Sequence, residues 1–334
     1  MLPTPTMSTD PLHLDPEAET ARIVAALRRQ VGDTLRRRGL VVAMSGGVDS
    51  SVGAALAVRA MGPKRVFGLM MPEHDSDPES EQLGRGLAEQ LGIEHRVENI
   101  ASILEAVGCY RRRNDAIREV LPEFGDDWAC KIVLPGDRLD SDRLNVYYLA
   151  VRPPGGEIRT VRLPAHAYLA IVAATNFKQR VRKMLEYHHA DRLHYAVLGT
   201  PNRLEYDQGF FVKGGDGLAD VKPFALLYTT QVYQLADYLG VPKAITARPP
   251  TTDTYSLPQT QEEFYFSLPA ATMDRVLHAR TAGLTAADAA VALGLGAEQV
   301  ERAFTDIDQK RSTTAYLHAA PLLVEPVPHG DVHA

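Results

Sequence analysis

The sequence predicts an α/β fold: a doubly wound parallel sheet with a β-hairpin insertion and a helical C-terminal tail. Three observations predict it. First, the apolar run Leu40-Val41-Val42-Ala43 meets Met44-Ser45-Gly46-Gly47-Val48-Asp49-Ser50-Ser51, and helix formers from Val52 to Ala60 follow. Strand, glycine turn and helix form one unit. Second, the apolar runs Arg65 to Met71 and Glu94 to Ile100 flank Pro78 to Leu91, which reads as a helix closed by Gly92. This β-α-β-α-β alternation implies a parallel sheet with ligands at the carboxyl ends of its strands. Third, residues 122–164 break the pattern: runs 144–151 and 157–163 flank Pro153-Pro154-Gly155-Gly156, which reads as a hairpin.

Composition narrows the class. The 334 residues are 45% hydrophobic, enough for one large core or a core with a small satellite. Net charge is 36 − 42 = −6, which offers no general attraction to nucleic acid. No stretch approaches the roughly 18 apolar residues of a membrane span, and residues 1–16 lack the pattern of a secretion signal. Cys109 and Cys130 are the only cysteines and form no C-x-x-C. The expectation is therefore a reducing, cytoplasmic setting without a thiolate metal site.

Taken in order, residues 1–14 are expected to be a flexible tail, and 15–280 the main domain with its insertion at 122–164. Residues 281–325 are expected to be a helical extension and 326–334 a second tail. Asp15 to Arg38 has helical spacing (Ile23, Ala26, Leu27, Val31, Leu35), and Arg36-Arg37-Arg38 reads as its solvated end. A long helix is expected from Ser102 to Leu121, stopping at Pro122. Trp128, at the start of the insertion, reads as core more readily than as a stacking platform. Helix returns from Ala165 to Ala190 and strand from Tyr195 to Thr200. His188 and His189 diverge by about 100° on a helix, so they and His194 read as surface or capping histidines. Gly209 to Gly217 reads as a surface hairpin unless it binds a ligand, and Phe224 to Leu239 as a helix. Leu284 to Lys310 looks like two helices around Gly294-Leu295-Gly296, too acidic to read DNA.

The glycine turn carries the chemistry. Adjacent glycines let backbone approach an anion, and the following helix points free N–H groups at it. Ser45, Ser50 and Ser51 add hydroxyl donors, whereas Asp49 would repel phosphate unless a divalent cation lies between. The spacing fits neither G-x-x-x-x-G-K-[ST] nor G-x-G-x-x-G.

Ser45 to Ser51 resembles the S-G-G-x-D-S loop of the ATP pyrophosphatases, whose fold is adenine nucleotide alpha hydrolase-like. Further motifs resemble the synthetase domain of the NAD synthases over residues 15–325. They are Asn176-Phe177-Lys178-Gln179-Arg180, Gly199 to Glu205, Gly209 to Gly217, Leu227 to Val232 and Pro249 to Asp253. The resemblance implies a ligase that adenylylates deamido-NAD⁺ with ATP and aminates it with ammonia, releasing AMP and pyrophosphate. It implies Ser45, Gly46, Gly47, Asp49, Ser50, Ser51, Thr200, Thr229 and Thr251 at ATP, and Asp49 and Glu205 at Mg²⁺. It implies Asn176, Arg180, Phe210, Lys213 and Asp216 at deamido-NAD⁺, and a homodimer.

Two departures keep other readings open. The family usually has a phosphate-directed lysine where this chain has Thr229, so Lys131, Lys178, Lys183 or Lys222 would have to replace it. Residues 262–269 also depart from the family pattern. A ligase amidating another carboxylate and a non-catalytic nucleotide-binding relative are the alternatives. About 40 residues precede the first strand, and neither cysteine sits in a recognisable amidase pattern. Free ammonia is the expected nitrogen source, with glutamine serving only through a separate glutaminase.

Overall fold

A computed structural model describes residues 10–134, 147–251, 254–266 and 268–325. The first residues of the run expected at 144–151, Thr252-Asp253 and the tail 326–334 lie outside the described residues.

Helix α1 (Pro16–Arg28) starts where Asp15 accepts from the Glu17 and Ala18 N–H groups, and a π-helical turn carries the chain on to Thr34. Strand β1 (Leu40–Ala43) leads to α2 (Val48–Met61), β2 (Val66–Met70), α3 (Pro78–Leu91) and β3 (Glu94–Val97). The helix expected from Ser102 to Leu121 is two, α4 (Ala101–Ala106) and α5 (Cys109–Arg118). Gly108 separates them with φ +73°, a left-handed conformation that interrupts the ladder. Helix α6 (Ala165–Leu193) then returns to β7 (Ala196–Leu198) beside β1.

All four strands of the main sheet are parallel, in the order β3-β2-β1-β7. Leu40, Val42, Val66 and Met70 face one side, among residues of α1 and α2. Val41, Phe67, Leu69 and Val197 face the other, against α4 and α6. The sheet is doubly wound, as the alternation requires.

The insertion is a three-stranded antiparallel sheet, β4 (Ala129–Val133), β5 (Tyr148–Arg152) and β6 (Arg159–Arg162), in that order. The hairpin β5–β6 was legible in sequence and β4 was not. Trp128 packs edge-on to Phe124 with Arg159 over its ring.

Downstream come α7 (Arg203–Gln208), α8 (Thr229–Leu239) and α9 (Lys243–Thr246). Helix α8 starts five residues later than expected, because Asp274 accepts from the Thr229 and Thr230 N–H groups at 3.3 and 2.7 Å. That aspartate lies on α10 (Ala270–Thr281), which the sequence reading missed; α11 (Ala286–Leu293) and α12 (Ala297–His318) follow. The three pack a separate cluster through Met273, Val276, Leu277, Val300 and Phe304.

Other expectations need correction. Leu12, assigned to a flexible tail, is buried in that cluster. Residues 209–217 turn without forming strands. His194 caps α6 as expected, but His189 is buried, stacked on Phe67 and bonded to Glu98 Oε1 at 2.8 Å. Burial lowers its pKa. No helix among the described residues is long and apolar enough to cross a membrane.

Candidate active site

At the carboxyl end of β1 the chain turns through Ser45-Gly46-Gly47 into α2. Gly46 has φ +76°, and a Cβ there would sit 2.5 Å from Ser80 O, so no side chain fits. Ser45 and Ser50 share a hydrogen bond of 3.1 Å between their hydroxyls. The Ser50 and Ser51 hydroxyls both donate to Gly47 O, at 3.0 and 2.8 Å.

Beyond β7, Asn202 and Glu205 form a capping box on α7: Asn202 Oδ1 accepts from Glu205 N–H at 3.1 Å and Glu205 Oε2 from Asn202 N–H at 3.2 Å. Asn202 Nδ2 also donates to Asp49 Oδ1 at 3.4 Å, and Gln261 Nε2 to Glu205 Oε1 at 2.9 Å. Asn202 thus links two carboxylates carried by the first turns of separate helices, meeting Asp49 through its side-chain amide and the Glu205 carboxylate through its backbone N–H.

Neither carboxylate forms an ion pair among the described residues. Burial, helped by the charge of Asp274, pushes Asp49 up to about 7, although the Asn202 bond opposes it. Burial and the charge of Asp49 raise Glu205 well above the ordinary carboxylate range. Two like-charged oxygen donors without a protein cation fit a hard divalent ion that completes its shell with phosphate and water. No group of three or more His, Cys, Asp or Glu able to hold a metal gathers among the described residues.

These groups face a cavity of about 660 Å³. Ser45, Gly46, Gly47, Asp49, Ser50, Thr200, Glu205 and Thr251 line it, together with Asn176, Arg180, Phe210, Lys213 and Asp216. Arg180 Nε donates to Lys213 O at 3.3 Å, Asp216 accepts from Val212 N–H at 2.7 Å, and Lys213 Nζ donates to Tyr316 O at 2.6 Å. Phe210 stacks on Tyr265 at 4.8 Å.

Two expected ATP residues do not line the cavity. Ser51 is buried beneath the loop, and Thr229 is buried in the first turn of α8 with its hydroxyl unpartnered. The four candidate lysines are all bonded to protein oxygens, although Lys178 and Lys183 line the cavity. Lys178 Nζ lies 2.9 Å from Glu73 and 2.6 Å from Asp75, and Lys183 Nζ lies 2.6 Å from Glu186. Lys131 pairs with Glu263 at 2.9 Å, and Lys222 donates to Gly217 O at 2.7 Å.

Sequence reasoning missed several wall residues. Tyr147 and Tyr168, stacked at 3.9 Å, bring the insertion and α6 to the cavity. Arg248 reaches the wall while bonded to Asp77 at 2.6 Å. Gln261 carried no signal, since its partner lies 56 residues away. Asn202 did carry one: Asn-x-x-Glu after a strand is a helix-start signature.

A family model described as NAD synthase matches residues 19–120 and 160–316. The chain belongs to the NAD synthase family. Among curated NAD synthases, an NH₃-dependent NAD⁺ synthetase from Rhizobium meliloti is 58% identical over 320 residues, 96% of this chain and 95% of its own. Another, from Thermotoga neapolitana, is 34% identical, covering 76% of this chain and 81% of its own. The fold is shared with an NH₃-dependent NAD synthetase from Campylobacter jejuni at TM-score 0.61 and 20% identity, over 93% of this chain and 100% of that one. It is also shared with an NMN synthetase from Francisella tularensis at TM-score 0.61 and 22% identity, over 93% and 99%.

Proposed function

We propose that this NAD synthase joins ammonia to the carboxylate of deamido-NAD⁺, consuming ATP and releasing AMP and pyrophosphate. The observation that carries the reading is the Asp49–Asn202–Glu205 constellation beside the glycine loop, in one cavity with Asn176, Arg180, Phe210, Lys213 and Asp216.

A carboxylate is a poor electrophile; transfer of AMP makes it a mixed anhydride that ammonia can attack. Gly46, Gly47 and the first turn of α2 direct N–H groups toward pyrophosphate. Asp49 and Glu205 would hold Mg²⁺, which neutralises developing phosphate charge when bound. Phe210, stacked on Tyr265, offers an aromatic face to the pyridine ring, and Arg180 and Lys213 offer cations to the dinucleotide phosphates. A homodimer belongs to this reading: Leu169 and Met184 are exposed on α6, which also contributes residues such as Asn176 and Arg180 to the cavity.

The test is turnover of purified protein with ATP, MgCl₂, ¹⁵N-ammonium and deamido-NAD⁺, beside deamido-NMN and other acids. Label in the product amide with stoichiometric pyrophosphate is the expected result. A clear preference for another acid would replace the substrate while leaving the ligase chemistry. Sedimentation with and without deamido-NAD⁺ tests the dimer.

A further inference from the structure

The family match stops at residue 120 and resumes at residue 160, so β4 and β5 lie outside it. Strand order places β4 at the edge of the small sheet. An edge strand leaves a row of backbone groups that must be covered. Here the cover is segment 256–263, irregular at first and entering a π-helical turn at Glu262. Leu257 N–H donates to Cys130 O at 3.2 Å, and Cys130 N–H to Ser256 Oγ at 2.9 Å. Leu134 N–H donates to Glu263 O at 3.1 Å, and the Gln259 amide donates to Ile132 O. Lys131 Nζ donates to Pro258 O and Glu263 Oε2, both at 2.9 Å.

Within this clamped segment Gln261 is bonded to groups outside β4. Its N–H is held by Pro250 O at 3.2 Å, and its side-chain amide meets Glu205 Oε1 at 2.9 Å. With Asn202 N–H on Oε2, each carboxylate oxygen of Glu205 has one fixed donor. Outer donors of this kind set the orientation of a ligating carboxylate.

We propose that Gln261 is a positioning residue for Glu205 and that the inserted strand β4 holds it in place, so that the insertion tunes the divalent-cation affinity of the ATP site. The proposal rests on the assignment of Asp49 and Glu205 to Mg²⁺. Lys131 is the lever furthest from the chemistry, acting through Glu263 and the backbone that carries Gln261.

The test uses the full chain and three variants: Gln261→Leu, Lys131→Met and the double. ATP binding is followed by calorimetry as Mg²⁺ is titrated, with thermal unfolding alongside. Gln261→Leu should raise the Mg²⁺ midpoint roughly ten- to a hundredfold and leave ATP affinity at saturating Mg²⁺ unchanged. Lys131→Met should give a smaller, few-fold rise. The double should match Gln261→Leu, because both changes act along one path. An unmoved midpoint in Gln261→Leu, or a loss of ATP affinity that saturating Mg²⁺ does not restore, overturns the positioning role. Additive effects in the double overturn the role of β4. Failure of the underlying metal assignment looks different: wild-type ATP binding would ignore Mg²⁺, and this proposal would fall with it.

Discussion

Two pairs of acidic side chains, one lining the cavity and one outside its lining, are treated by the protein in opposite ways. Glu73 and Asp75, just after β2, meet Lys178 at 2.9 and 2.6 Å, and Arg113 adds a second cation to Asp75 at 2.6 Å. Tyr110 donates to Glu73 at 2.8 Å. Lys178 and Arg113 hold Asp75 below the ordinary carboxylate range, even though burial opposes them. Asp49 and Glu205 receive only amide and backbone donors, and both are pushed up. The first pair is matched by cations within the protein, whereas in the proposed reading the second pair awaits a cation from outside.

The sharpest way to break this contrast is to remove one carboxylate of the unmatched pair. Asp49→Ala or Glu205→Ala should lower pyrophosphate release by at least about a hundredfold while thermal unfolding stays at or above the wild-type temperature. Wild-type turnover in either variant removes the metal assignment.

The matched pair should respond in stability. Lys178→Met strands Glu73 and Asp75 without their shared ammonium, and loss of one partner in a buried network costs about 3–5 kcal/mol. Urea unfolding measures it, and a cost within the error of the fit would show the network to be decorative.

Arg180→Ala should raise KM for deamido-NAD⁺ roughly ten- to a hundredfold, the worth of a charge-assisted hydrogen bond, with KM for ATP little changed. Equal rises in both would move Arg180 out of the dinucleotide end of the cavity.

Charge also separates the two pairs by pH. A carboxylate raised on folding binds more protons in the native state than in the unfolded one, so its contribution falls as pH climbs from its unfolded value toward its folded one. For Asp49 that window runs from about 4 to about 7. Asp75 has the opposite sign: its stabilisation is present above the unfolded value and lost as pH falls through the folded one. In EDTA the wild-type melting temperature should therefore drop by a few degrees from pH 5 to 7. Asp49→Asn should flatten that slope, and Mg²⁺ with ATP should abolish it. A slope unaltered in Asp49→Asn would place its origin elsewhere.

The smallest effect belongs to the cysteines. Cys109 donates to Ala174 O, and burial pushes its thiol up to about 11; Cys130 is buried in β4 and likewise raised. Such thiols are inert as nucleophiles. The Cys109→Ala, Cys130→Ala variant should keep ammonium-driven turnover, and glutamine alone should support none in wild type. Glutamine-driven product lost in the double variant would reveal an amidase.

Local features could be read directly from the chain. Leu40 to Ser51 declared strand, glycine turn and helix because an apolar run, paired glycines and helix formers each act within a few residues. The β5–β6 hairpin was legible for the same reason, through Gly155-Gly156 between alternating runs. Asp49 and Glu205 were nameable from the motifs that flank them. Features that depend on distant partners emerge only in the folded protein. It starts α8 at Thr229, because Asp274 caps it from 45 residues away. It takes Thr229 off the cavity wall and commits Lys178 to Glu73 and Asp75, 105 and 103 residues distant. It covers β4 with residues 256–263 and thereby brings Gln261 to Glu205. Side-chain pairing across such separations follows from how finished elements pack, and neither hydrophobic period nor turn chemistry encodes it locally.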